Sequence, residues 1–400
     1  MGEWKKIRFG DLYATPSRNG VSKPSRVRGT GYKMINMGEL FAHDWIFDIP
    51  MELVPLTDAE KANSQVVVDD LLFARQSMVA SGAGRCVIVR EVNELTVFES
   101  HLIRVRLDQA KALPLFYYYY FRSGCSNIAS IVQHVVQAGI RASDLGDLEV
   151  DLPPLPTQRR IAAVLGALDD KIEVNRKICE NLETQAQALF KAWFVDFEPF
   201  GGKRPEGWKE ESLSNIATFL NGLAMQKFRP AVDEPSLPVL KIKELRQGFC
   251  DEATEQCTTQ LDEKYIVHDG DVVFSWSGSL LVDFWCGGDV GLNQHLFKVS
   301  STRFDKWFYY AWTQHHLASF IKIAADKATT MGHITRDHLD DAKVLIPDQV
   351  TLDRLGNVIA PMFDMIVSKR IESRALAAMR DALLPKLMSG ELVVEKVEVK

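Results

Sequence analysis

The hydrophobic and polar positions follow two regimes that alternate twice along the chain. From Trp4 to about Leu152, short Val/Ile/Phe-rich runs are separated by Gly, Asp and Ser turns, which predicts mainly strand with some helix. Val66-Val67-Val68, Leu71-Leu72-Phe73, Cys86-Val87-Ile88-Val89 and Leu102-Ile103-Arg104-Val105 are the strand candidates. Leu152-Pro153-Pro154-Leu155-Pro156 ends that pattern, because proline cannot continue a ladder and suits a first helical turn. Beyond Thr157, the N-cap candidate, apolar residues recur every seven positions. One row is Ile161, Leu168, Asn175, Leu182 and Leu189; the other is Leu165, Ile172, Cys179, Ala186 and Trp193. This predicts a helix to about Val195, roughly 58 Å long at 1.5 Å per residue.

The same order then returns. Trp4-Lys5-Lys6 is echoed by Trp208-Lys209-Glu210, and Asn19-Gly20 by Asn221-Gly222. Asp69-Asp70-Leu71-Leu72-Phe73 is echoed by Asp269-Gly270-Asp271-Val272-Val273-Phe274. A small-residue loop follows each: Ser81-Gly82-Ala83-Gly84, and Ser277-Gly278-Ser279. From there His101, Ile140, Leu145 and Pro153 fall on His295, Ile334, Leu339 and Pro347, a constant step from 101 to 295. Carried through that step, the seam becomes Leu355, Met362, Lys369, Leu376 and Leu383, beside Ile359, Ile366, Ser373, Arg380 and Leu387. A polar residue interrupts each seam in mid-helix, a known way to fix register. Pro361 predicts a kink near the start of the second helix. Two long copies mean two homologous domains rather than a solenoid.

Composition narrows the class. A chain of 400 residues with 46% hydrophobic and 25% charged residues reads as globular with more than one domain. No apolar run is long enough to span a bilayer, and Met1 to Phe9 is charged rather than signal-like, so the expected location is the cytoplasm. The six cysteines form no C-x-x-C pair and suit neither a disulfide scaffold nor zinc. A net charge of −6 argues against a bulk cationic DNA binder, though not against local basic patches.

With these motifs in view the chain resembles the specificity subunits of type I restriction–modification systems over essentially its whole length. The resemblance rests on the repeated α/β domain, on Leu152-Pro153-Pro154-Leu155-Pro156-Thr157-Gln158-Arg159-Arg160-Ile161-Ala162, on Leu168-Asp169-Asp170-Lys171-Ile172, and on Ala188-Leu189-Phe190-Lys191-Ala192-Trp193-Phe194. Leu384-Pro385-Lys386-Leu387-Met388-Ser389-Gly390-Glu391-Leu392 looks like the family's C-terminal end. It implies an α/β (α+β) fold with two homologous target-recognition domains. A pseudo-two-fold spacer of two long antiparallel helices, forming a coiled coil, would separate them. The implied boundaries are residues 1–152 and 201–347 for the recognition domains, 153–200 and 348–392 for the helices, and 393–400 for a tail. The implied partners are duplex DNA with a bipartite target, methylation subunits (two of them) and restriction subunits. S-adenosylmethionine, ATP and Mg would be bound on those partners and no cofactor on this chain.

Sequence readout needs polar side chains on loops held by a rigid sheet. Four positions per repeat qualify. The first, after Asn19-Gly20, is the basic run Arg18, Lys23, Arg26 and Arg28. The second is Arg75, Gln76 and Ser77, matched by Ser275, Trp276, Ser277 and Ser279. The third is Asn293-Gln294-His295, whose Asn and Gln amides suit adenine edges, where the first copy has Glu99-Ser100-His101. The fourth is Gln133, His134, Gln137 and Arg141, matched by Lys322, Lys327, Thr329, Thr330, His333 and Arg336. The aromatic runs Phe116 to Phe121 and Trp307 to Trp312 have helical spacing and are read as core rather than base-stacking platforms.

Catalytic signatures are missing. There is no Asn/Asp-Pro-Pro-Tyr tetrad, and Ser81-Gly82-Ala83-Gly84 lacks the strand, helix and Lys-Ser/Thr of a nucleotide loop. His315-His316 and His333/His338 lack a ligand framework. The expectation is a DNA-reading subunit that is not itself an enzyme. The alternative is a coiled-coil adaptor whose α/β domains bind proteins, which the acidic net charge favours.

Overall fold

A computed structural model describes residues 4–78, 82–134, 138–326 and 332–394. The chain forms two compact units, Met1–Asp170 with Ala377–Lys400, and Lys171–Leu376.

In the first unit the main sheet runs in the order Tyr13–Asn19, Leu102–Leu107, Leu71–Ala74, Cys86–Val89, Trp45–Ile46. Only its last pair is parallel. A second sheet holds Glu52–Val54, Tyr32–Ile35 and Thr96–Phe98. Alternation along Leu102–Leu107 sends Ile103, Val105 and Leu107 into one core and Leu102 into another. The first core is closed by the helix Pro114–Arg122, whose Phe116 to Phe121 are all buried. A helix buried on every side must satisfy its hydroxyls. Accordingly Tyr117 Oη donates to the Asp151 carbonyl at 2.9 Å, and Tyr119 Oη to Asp169 at 2.5 Å.

The second unit repeats the plan. Thr218–Asn221, Leu296–Ser300, Val272–Ser275 and Leu281–Phe284 form its main sheet in the matching order. Its buried helix is Lys306–Asp326, with Trp307 to Trp312 in the core. Both aromatic runs are therefore core. The two turns before the central strands are built alike. Asp70 and Asp271 each accept the amide three residues upstream, from Val67 and His268, at 2.9 Å. The preceding residue is left-handed in both, Asp69 at φ 73° and Gly270 at φ 85°. Val66-Val67-Val68 is therefore turn, not strand. The Asp70 carboxylate captures the Val67 amide that a ladder would need, and Val68 is exposed.

The long helices are Leu155–Phe194 and Gln349–Met388. The first starts before Thr157, whose amide donates to the Pro154 carbonyl inside the first turn. The second continues through exposed Pro361. In the second unit the helices run antiparallel, since Lys171 and Asn175 meet Glu372 while Cys179, further along, meets the earlier Ile366. In the first unit Asp169 meets Arg380 at 2.6 Å. In the second Asn175 Nδ2 donates to Glu372 and Ser373, Cys179 lies against Ile366, and Arg370 donates to Glu183 at 2.6 Å.

The seam residues divide by burial. Ile161, Leu165, Asn175, Leu355, Ile359 and Ile366 are buried. Leu168, Ile172, Leu182, Leu189, Met362, Lys369, Leu376 and Leu383 are half-buried. Toward the helix ends the buried stripe moves one residue on. Phe190 and Phe194 replace Leu189 and Trp193, Phe363 replaces Met362, and Leu384 replaces Leu383. A straight helix drifts about 20° per heptad from a strict seven-residue repeat. The ends, moreover, pack on the aromatic helix of their own unit, as Phe190 on Trp312 at 5.0 Å shows.

Candidate nucleic-acid interface

Three of the four candidate positions converge on one edge of each unit. In the first, Gln76–Ser77 pairs with Ala138–Gly139, which pairs with Gln133–His134. Arg75 sits at the junction: its amide donates to the His101 carbonyl, its carbonyl accepts from Ile140, and Nη1 reaches the Ser100 carbonyl at 3.4 Å. In the second unit Trp276 takes the place of Arg75, with its carbonyl accepting from Ile334, and Ser277 bridges His333 as Gln76 pairs Gly139. The Ser277-Gly278 turn thus corresponds to Gln76-Ser77, not to the loop at Ser81.

The Asn-Gly turns lie under this edge. Val21 bridges Glu99 and Leu223 bridges Asn293 in the same parallel sense. Both glycines are needed for close approach rather than for an unusual φ. A Cβ on Gly20 would lie 1.9 Å from the Phe98 carbonyl oxygen, and one on Gly222 2.3 Å from that of Asn293.

Side chains at the second edge form a compact polar and aromatic group. The Trp276 indole stacks on Phe297 at 5.8 Å and donates from Nε1 to Asn221 Oδ1 at 3.1 Å. Trp276 also lies 6.1 Å from the His295 ring and 6.2 Å from that of His333. Ser277 Oγ and His295 Nδ1 share a hydrogen bond at 3.1 Å, and Gln294 Nε2 lies 3.4 Å from His295 Nε2. Trp276, Gln294 and His295 are half-buried, while His333, Ser279, Lys322 and Arg336 are exposed. Such a surface offers amide, imidazole and ring contacts to a base edge. The first edge offers the Arg75 guanidinium and Gln76 amide instead.

Some candidates serve the frame. Ser275 is fully buried with Oγ donating to the Ser277 carbonyl, and Ser277 itself is 4% exposed. Asn293 is 6% exposed and its Oδ1 accepts the His295 amide. Ser77 is likewise buried at its strand edge. Two of the four basic residues at the first position are neutralised internally: Lys23 by Glu60 at 2.8 Å and Arg28 by Glu52 at 2.7 Å. Arg18 and Arg26 remain exposed. Gln133 donates to Asp144 at 3.0 Å, and Arg141 is exposed at a helix start. Gln137, Lys327, Thr329 and Thr330, and the His134 side chain, lie outside the described residues. Sequence reading placed His295 at the third position but missed Asn221, which the Asn-Gly repeat marked only as a landmark.

Partial burial lowers the pKa of the His315 and His316 imidazoles, which lie beside the Trp312 ring. Among the described residues no cluster of His, Cys, Asp and Glu could hold a metal ion.

The model of the type I restriction modification DNA specificity domain matches residues 1–184 and 205–372. The MjaIX type I restriction enzyme specificity subunit of Methanocaldococcus jannaschii is 27% identical over 276 residues, which cover 64% of this chain and 64% of the relative. The chain thus spans just under two thirds of that relative's length. The HindI specificity subunit of Haemophilus influenzae is 21% identical over 98% of this chain and 100% of its own. The crystal structure of a type I S subunit from M. genitalium superposes with a TM-score of 0.57 at 14% identity, covering 96% of both chains, which shows a shared fold.

Proposed function

This chain belongs to the type I restriction modification DNA specificity family, and on that premise we propose that it is the specificity subunit of such a complex, reading a bipartite duplex target with one half-site per unit. The observation that carries this is the paired edge: one backbone frame, built twice, presenting Arg75 and Gln76 in one unit and Trp276, Gln294, His295 and His333 in the other. Identical frames with different side chains are what two readers of different half-sites require. Arg18, Arg26, Arg141, Ser279, Lys322 and Arg336 are exposed, and on this reading they contact phosphate or bases.

The long helices set the separation of the half-sites and dock the methylation subunits, two per chain, and restriction subunits join that assembly. S-adenosylmethionine, ATP and Mg act on those partners, and this chain carries no catalytic group. No helix among the described residues is long and apolar enough to cross a membrane, which suits work in the cytoplasm.

The net charge of −6 and the internal pairing of Lys23 and Arg28 leave few cations for phosphate neutralisation. We therefore expect the chain alone to bind DNA weakly and the methylation subunits to strengthen binding at least tenfold at fixed salt. Selection from a random duplex pool, with and without those subunits, should enrich one split motif. A pool that stays random in the presence of the subunits would favour the protein-binding adaptor instead.

A further inference from the structure

The two units share a cation on the strand that follows the reading edge, buried at Arg104 and half-buried at Lys298, and they neutralise it differently. In the second unit Lys298 donates to the Ile266 carbonyl at 2.8 Å and pairs with Asp271 at 2.8 Å. One cation meets one carboxylate. In the first unit the equivalent strand position is Arg104. It donates to the Gln65 carbonyl at 2.8 Å, the counterpart of the Ile266 carbonyl. The equivalent carboxylate, Asp70, is fully buried but is taken by Arg106, through two hydrogen bonds of 2.7 Å. The second unit has Ser300 where Arg106 stands, and Leu220 where Arg18 stands opposite Arg104.

Arg104 is therefore left with a carbonyl and no carboxylate. It is only 5% exposed, and its Nε has no partner. Arg18, paired with it across the strands, is exposed and makes no ion pair among the described residues. A buried cation that shares its counter-charge with another cation is costly. Here three arginines share one carboxylate around a cavity of about 320 Å³, lined also by Thr15, Asn63 and Gln65. Burial presses the Arg104 pKa down; the nearby Asp70 carboxylate opposes this, and the Arg106 and Arg18 cations add to it.

We propose that this cavity binds a tetrahedral phosphate-type oxyanion, held by Arg18 and Arg104 with Arg106 fixed beside them by Asp70. Guanidinium forks match phosphate oxygens, and the anion supplies the charge that Asp271 supplies in the second unit. A backbone phosphodiester of the bound duplex and free inorganic phosphate share this chemistry; the first of these occupants rests on the DNA-reading role.

The test is calorimetric titration of inorganic phosphate into the full chain. One site per chain is expected, with Arg18→Gln weakening it about tenfold, and Arg104→Met abolishing it while melting at a temperature that shows it folded. Because Arg18 is exposed, its variant folds regardless of the outcome at Arg104. No binding to the wild type, or unchanged binding in Arg18→Gln, overturns the site. The occupant is read from the salt dependence of duplex binding in the presence of the methylation subunits. Loss of about one unit of log–log slope in Arg18→Gln, with the motif unchanged, identifies a phosphodiester. An unchanged slope, with phosphate binding lost, identifies free phosphate. A wild type that binds phosphate yet enriches no motif would contradict the DNA-reading role and leave the anion site standing.

Discussion

Replacing Asp169 by alanine should destabilise the first unit by about 2–4 kcal/mol, because it removes the buried partner shared by the Arg380 guanidinium and the Tyr119 hydroxyl. Asp169 is 10% exposed at its side chain and Arg380 is 16% exposed. One carboxylate oxygen receives Arg380 at 2.6 Å, and the other receives the Tyr119 hydroxyl at 2.5 Å. The carboxylate thus ties the two long helices to the aromatic helix at a single point. Its removal leaves the Tyr119 hydroxyl unpaired and the Arg380 guanidinium with only the exposed carboxylate of Asp381, at 2.8 Å. A unit of this size melts about 2–4 °C lower per kcal/mol, so its transition should fall by about 10 °C. Hydrogen exchange across Pro114–Arg122 assigns the transition to this unit. The double variant Asp169→Leu with Arg380→Met should recover most of the loss, since an apolar pair carries no desolvation cost. An Asp169→Ala shift below 1 °C would mean that the ion pair does not hold the helices.

The second large effect concerns spacing. If the helices measure the gap between half-sites, lengthening both by one heptad should lengthen the gap. The register fixes where the residues must go. Asn175 lies against Glu372 and Ser373, so seven residues inserted after Asn175 and seven after Ile371 leave the pairs on either side intact. Insertion after Lys369, the residue that matches Asn175 in the repeat, would leave a short mispaired stretch. Seven residues add about 10 Å, equal to about three base pairs at 3.4 Å each. Methylome sequencing of cells carrying the doubled heptads should show both half-sites unchanged and the gap wider by about two to four base pairs. An active variant with the original gap would show that something other than these helices sets the distance.

The fold was legible wherever a pattern is read by periodicity. The step from His101 to His295 located both copies, and the seven-residue rows located both helices. Periodicity failed where tertiary packing took over. Phe190 and Phe194 displace Leu189 and Trp193 because the helix end turns from its partner helix to Trp312. Val66-Val67-Val68 has the composition of a strand, but the Asp70 carboxylate makes it a turn. The site was legible as position and not as role. Arg75, Gln76, Trp276 and Gln294 stand at the shared edges. Ser275 and Asn293 lie beside them in sequence yet face inward. Lys23 and Arg28 read as phosphate contacts until Glu60 and Glu52, dozens of residues away, are seen to neutralise them. A single sequence carries no record of which acid approaches which base.

The central claim is that each unit reads its own half-site. It is tested most directly by replacing residues 1–152 with the corresponding domain of a relative of known target and sequencing the methylome of the host. The prediction is a hybrid motif. The half belonging to the first domain changes to that of the donor, while the half read through Trp276, Gln294, His295 and His333 stays as before. A motif in which both halves change together, or neither does, would contradict it.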